Sequence, residues 1–284
     1  MKAPPFDYLK ASSLAEVFSL LEQHGDTGRL IAGGQTLLAT LNMRLSEPQV
    51  LIDLQDVPGL RGISLQTRCV RIGAMTTHSE IEDSSILATH IPLLSMAAPH
   101  VAHRAIRNRG TLGGSLAFGD PAAEWPACAV ALNAVLVLDS MRGQRRINAT
   151  DFFQELYSTA LAPDEIITAC EFPLMPPNFR FTFDELARRH GDYAIVGLAA
   201  AAQLDEGVLR KIRLVFLGTG NIPMRARAAE AELEGTSTDA EHVAAAISAL
   251  ASELLPAADL YNDAKTKLHL AGVLLRRSVA KLSA

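Results

Sequence analysis

Residues 106–127 read IRNRGTLGGSLAFGDPAAEWPA. Its first part, 107–115, holds three glycines (Gly110, Gly113, Gly114), two hydroxyls (Thr111, Ser115) and two cations (Arg107, Arg109), and runs on into Asp120-Pro121-Ala-Ala-Glu124-Trp125. Glycines permit positive φ and close approach of the backbone to a ligand. A second glycine loop, Ala32-Gly33-Gly34-Gln35-Thr36, lies between a strand pattern at 29–32 and a helix pattern at 36–43. Successive N–H groups ahead of a helix suit a phosphate. Two such loops fit a diphosphate-bridged ligand held from two sides. They also fit two tight turns, and composition alone does not choose.

Outward from these loops, Ser13 to Glu16 has the spacing of a capping box, with Leu14, Val17, Phe18, Leu20 and Leu21 as the apolar stripe of a helix and Gly25 as its stop. Strands are expected at 50–54, 70–73 and 166–172, and a hairpin over 134–138 and 144–147. A capped helical turn is expected at 77–82 and a helix at 92–103. Prolines 173, 176 and 177 mark a boundary. Beyond it come antiparallel strands at 179–188, 194–204 and 211–217, with a turn at Asp205-Glu206-Gly207. Helices are then expected at 226–233, 240–254 and 263–282. Strands followed by helices argue for an α+β class.

The chain has 284 residues, 49% hydrophobic and 20% charged, with a formal net charge of −5. That balance argues against a large nucleic-acid surface. No apolar run reaches the roughly 18 residues that span a bilayer, and the N-terminus lacks a leader pattern, so a cytoplasmic protein is expected. Cys69, Cys128 and Cys170 are isolated. They suggest neither a disulfide framework nor a metal site, and three thiols cannot hold an iron–sulfur cluster, which usually takes four. Neither a P-loop, a nucleophile elbow nor a metalloprotease helix is present. Gly218-Thr-Gly220 starts like a dinucleotide fingerprint but has Pro223 at the third glycine position.

The segments AGGQT (32–36), IGAMTTH (72–78), the 106–127 stretch and GDYAIVG (191–197), in that order, resemble the FAD-binding medium subunit of molybdenum hydroxylases, the family of carbon monoxide dehydrogenase and xanthine dehydrogenase. The resemblance spans nearly the whole chain. It implies a two-part FAD-binding region of the vanillyl-alcohol-oxidase (PCMH) type, residues 1–58 and 59–177, followed by a C-terminal α/β domain of antiparallel strands and helices, residues 178–284. It also implies partners: a large subunit with the molybdenum cofactor and a small subunit with two [2Fe–2S] clusters, assembled as a dimer of heterotrimers. This chain would carry FAD and pass electrons to an external acceptor. No residue of its own would act as acid, base or metal ligand.

The resemblance further implies that Ala32, Gly33, Gly34, Gln35 and Thr36, with Thr111, Leu112, Gly113, Gly114 and Ser115, hold the FAD diphosphate through backbone N–H groups. Asp120 and Glu124 match positions of the second motif, Glu124 as acceptor from the ribose or adenine end. Tyr193 matches an aromatic position beside the flavin ring, and Thr77 and His78 would line the same cleft. Structural roles compete: a turn at Asp120, a surface charge at Glu124, a core ring at Tyr193, a cap at His78. Arg107 and Arg109 could form a solvated face or meet the iron–sulfur subunit. The chain departs from many relatives where their lysine reaches the flavin; here Asp184 and Glu185 stand. A carboxylate beside the flavin would lower its potential. The rival function is a self-contained FAD oxidoreductase with its own small substrate.

Overall fold

A computed structural model describes residues 2–284. Three main sheets follow one another along the chain, in addition to a two-stranded ribbon of Phe153–Glu155 and Ser158–Thr159. The first is parallel, in the order Asp7–Lys10, Val50–Asp53, Gly28–Ile31. Its central strand is buried throughout, and Val17 and Phe18 of the helix Leu14–His24 close its core. The helix start differs from the expected capping box. Ser13 Oγ accepts from Glu16 N–H, but the Glu16 carboxylate turns back one residue further, to the backbone N–H and hydroxyl of Ser12. The complete box lies elsewhere, at Thr77 and Glu80.

The second sheet is antiparallel, in the order Ile63–Leu65, Cys69–Gly73, Ile166–Pro173, Val135–Ser140, Gly143–Asn148. Short helices crowd around it: His78–Glu82, Ser85–His90, Pro92–Ala97, Leu112–Phe118 and Glu124–Ala131. The helix expected over 92–103 stops at Ala97 and tightens into a 3₁₀ turn, Ala98–His100. Pro99 has no N–H to continue the ladder, and Ala102 then takes positive φ. Arg107 fixes this turn. Its guanidinium donates to the carbonyls of Val101 and Ala102 and pairs with Glu82. It is buried, so it belongs neither to a solvated face nor to a surface open to a partner.

The third sheet holds Phe179–Leu186, Val196–Asp205, Val208–Leu217 and Met224–Arg225, all antiparallel. Glu206 and Gly207, both at positive φ, make its hairpin turn. Both faces are covered, and side chains alternate between them as a strand requires. Leu198, Ala200 and Ala202 pack under the helices Arg227–Leu233, Ala240–Glu253 and Ala264–Leu282. Phe183, Ala199 and Val215 join the core of the second sheet through the fully buried helix Glu124–Ala131. The architecture is α+β, as expected.

Candidate functional site

The two glycine loops meet. A Cβ added at Gly33 would overlap the carbonyl of Arg109, so glycine is required there for close approach. Gly34 has φ +72°, which glycine adopts freely and bulkier residues do not. Together the loops border a cleft of about 170 Å³, lined by Ala32, Gly33, Thr77 and Thr111 and also by Gln55, Arg61, Met75, Asn108 and Arg109. Four expected residues thus share one cavity. Sequence reading missed Gln55 and Arg61, which come from turns that carry no motif of their own, and did not single out Met75 within the 72–78 segment.

The two loops differ in what they offer. The backbone N–H groups of Gly33, Gly34, Gln35 and Thr36 donate to no acceptor among the described residues. Only the Gln35 side chain bonds within the loop, donating from Nε2 to the Gly33 carbonyl at 3.1 Å. In the second loop Leu112 N–H donates to Thr76 O at 3.0 Å and Gly113 N–H to Ala74 O at 2.8 Å. Gly114 N–H donates to Thr111 Oγ1 and Ser115 N–H to Thr111 O. The expectation that residues 112–115 present their N–H groups to a ligand is therefore corrected. Those groups pin the second loop to the neighbouring chain and start the helix Leu112–Phe118, whose cap is Thr111. Gly113 is a packing glycine, its missing Cβ replaced by Ala74.

His78 does not line the cleft. It is buried, and burial with the nearby Arg107 charge lowers its pKa to about 3, so the ring is neutral. Trp125 Nε1–H donates to its Nδ1 at 3.0 Å. The Thr77 side chain is taken by Glu80 and Ser79. Arg61 also pairs with Glu80, at 2.9 Å. Arg109 makes no ion pair among the described residues and remains at the cleft as a cation. Close behind, Tyr8 OH donates to Asp53 Oδ2.

Asp120, Glu124 and Tyr193 gather in a second group, outside the cleft. The Asp120 carboxylate accepts from Ala122 N–H at 2.9 Å, forming the turn, and burial raises its pKa. Glu124 is not a surface charge. Burial pushes its carboxyl up to about 8, with Glu185 and Asp120 adding to the rise and His100 opposing it. Glu185 is buried too, with Oε1 3.3 Å from His100 Nδ1 and Oε2 unpartnered. That hydrogen bond raises the His100 pKa against burial. Its neighbour Asp184 points the other way, to Lys281 at 3.4 Å and Arg277 at 3.9 Å. The acidic pair in place of lysine is thus divided between a half-buried histidine and the C-terminal helix. Tyr193 is no core ring: it is 67% exposed, and partial desolvation, with the charges of Asp120, Tyr157 and Glu124, pushes its phenol up to about 12.

The fit to a dinucleotide is chemical. Four unpaired N–H groups and one free guanidinium suit a diphosphate, and the exposed phenol suits a ring. Among the described residues no group of three or more His, Cys, Asp or Glu could hold a metal, and the three cysteines are free.

Comparison with known proteins agrees with this chemistry. Residues 4–175 match the FAD binding domain in molybdopterin dehydrogenase, and residues 181–282 the CO dehydrogenase flavoprotein C-terminal domain. The nicotine 6-hydroxylase medium subunit of Paenarthrobacter nicotinovorans is 39% identical over 100% of this chain and 99% of its own length. The carbon monoxide dehydrogenase medium chain of Hydrogenophaga pseudoflava is 33% identical over 98% of this chain and 97% of its own. Among solved structures, a Hydrogenophaga pseudoflava carbon monoxide dehydrogenase chain superposes with a TM-score of 0.97 at 35% identity, covering 99% of this chain and 98% of that one. Quinoline 2-oxidoreductase from Pseudomonas putida 86 gives 0.95 at 36% identity, covering 100% and 98%.

Proposed function

The chain belongs to the family of FAD-binding medium subunits of molybdenum hydroxylases, and from that premise we propose how its residues hold the flavin and what they assemble with. It is an oxidoreductase flavoprotein, not a self-contained oxidoreductase: its full-length relatives are named as subunits and medium chains. When bound, FAD supplies a store that takes electrons from the clusters of a partner and yields them to an external acceptor.

The observation that carries the assignment is the set of unpaired N–H groups at Gly33, Gly34, Gln35 and Thr36, beside the uncompensated Arg109. These residues bind the diphosphate. Ala32, Thr111 and Gly114 shape the meeting of the two loops, and Leu112, Gly113 and Ser115 keep the second loop rigid. Thr77 and His78 support that loop from beneath. Asp120 and Glu124 act at one remove, through the polar group next to Tyr193, and Tyr193 offers its ring to the flavin. No residue is assigned as acid or base, since electron relay needs none from the protein.

The same reading divides the chain into residues 1–58, 59–177 and 178–284, the first two holding FAD. It assigns a large molybdenum-cofactor subunit and a small subunit with two [2Fe–2S] clusters as partners, in a dimer of heterotrimers. It places the assembly in the cytoplasm. The free cysteines support a reducing compartment, and among the described residues no helix is long and apolar enough to cross a membrane.

The test is the flavin content of the purified complex with Arg109→Gln and Gly33→Ala. Both variants are expected to lose FAD. Full retention in both would remove the loops from the binding site.

A further inference from the structure

A second concavity lies away from the glycine loops, where the end of the buried helix Glu124–Ala131 meets the edge of the third sheet. It is an open depression of about 490 Å³ lined by Asn133, Lys211, Arg213, Arg225, Arg227, Glu230 and Glu234, with Ile212 and Ala231. Its size is that of a small-molecule site.

Its charge is unbalanced. Four cations face two carboxylates, and both carboxylates are already engaged. Glu230 accepts from Leu214 N–H at 2.8 Å and from the Arg225 guanidinium. Glu234 accepts from the N–H groups of Lys211 and Ile212, at 2.9 and 3.1 Å. Lys211, Arg213 and Arg227 make no ion pair among the described residues. The Arg213 guanidinium donates only to the carbonyl of Ala131, at 3.2 Å. Burial, together with the neighbouring Arg225 charge, lowers its pKa. A half-buried cation beside another is costly unless an anion joins them.

The backbone is shaped for this arrangement. Between Ala201 and Gln203 the register shifts, setting Lys211 and Ile212 against the single residue Ala202. This bulge re-aims the strand, and bulges recur beside functional sites. Lys211 takes φ +52° and Asn133 φ +50°, so two of the lining residues sit in the left-handed region that glycine favours. Such strain persists where the surroundings hold it, often at ligand sites.

We propose that this pocket is an oxyanion site, distinct from the FAD cleft, that takes a diphosphate or other phosphate-bearing small molecule. Arginine forks bind phosphate oxygens in pairs; Glu230 is taken by Arg225 and Glu234 by backbone N–H groups, which leaves Lys211, Arg213 and Arg227 without a carboxylate partner among the described residues. The proposal does not depend on the FAD reading.

Calorimetric titration of sodium pyrophosphate, and separately of ADP, into the FAD-loaded complex tests it. Saturable binding is expected, unchanged by Arg68→Gln, an exposed cation outside both clefts, and weakened about tenfold or more by Arg227→Gln or Lys211→Gln. These two positions are exposed, so their variants fold even if Arg213→Gln does not; thermal melts check this. Tighter binding of ADP than of pyrophosphate would identify a nucleotide as the source of the phosphates, and equal binding the phosphate groups alone. Absence of saturable heat up to about millimolar concentration overturns the proposal. So does binding that Arg227→Gln and Lys211→Gln both leave intact.

Discussion

Trp125 Nε1–H donates to His78 Nδ1 across 3.0 Å in the buried centre of the second sheet's helices. An indole nitrogen can only donate, so Nδ1 accepts and the ring proton sits on Nε2. That nitrogen lies against the second glycine loop: a Cβ at Gly110 would be 2.6 Å from it. The residue expected to line the flavin cleft instead holds up the loop that borders it.

Trp125→Phe keeps an aromatic ring, though a smaller one, in the buried site and leaves His78 Nδ1 without a donor. A buried unsatisfied acceptor costs about 1–3 kcal/mol, and denaturant unfolding should show that loss. A change below about 0.5 kcal/mol would mean the bond contributes nothing.

Glu124 gives stability a dependence on pH. Its carboxyl rises from 4.5 to about 8 in the folded protein, so the folded chain holds a proton that the unfolded chain releases. The contribution is complete below pH 4.5 and disappears as pH rises through about 8. His100, also raised, acts in the same direction. His78, lowered to about 3 from 6.5, acts oppositely, its contribution being lost as pH falls below 6.5. Glu124→Gln should flatten the alkaline decline in melting temperature and leave the acid limb unchanged. An unaltered alkaline slope would contradict the buried, protonated carboxyl.

Gly33→Ala separates close approach from backbone strain. No positive φ is needed at Gly33, yet its Cβ has no room against Arg109. Gly25 is the reverse, with φ +48° and nothing within 4 Å of an added Cβ. Gly25→Ala should cost about 1–2 kcal/mol and leave flavin content unchanged. Gly33→Ala should part the two loops and release flavin. Equal flavin retention in both would refute the role of the loop contact.

Tyr193→Ala should move stability by no more than about 0.5 kcal/mol, as an exposed position does, while shifting the flavin potential. A destabilised variant with an unchanged potential would return Tyr193 to a structural role.

The long antiparallel strands of the third sheet were legible because their turns are local, as at Asp205-Glu206-Gly207. The helix Glu124–Ala131 was not, since burial all round removes any polar face and with it the periodicity. Leu112–Phe118 begins with Gly113 and Gly114, poor helix formers that mask it. The parallel strand Asp7–Lys10 follows prolines and pairs with residues more than forty positions away. At the site, glycine spacing marked both loops, but which loop keeps free N–H groups depends on the carbonyls of Ala74 and Thr76, and nothing in the 72–78 segment announces that they pair with Leu112 and Gly113. The pairing of Glu185 with His100 likewise joins elements distant in sequence.

The central claim is that this chain holds FAD between its two glycine loops. The most direct measurement is the visible absorption spectrum of the purified complex after gel filtration, for wild type and Gly33→Ala. The account predicts flavin bands in the wild type and their absence in the variant. A colourless wild-type complex that takes up no added FAD would contradict it.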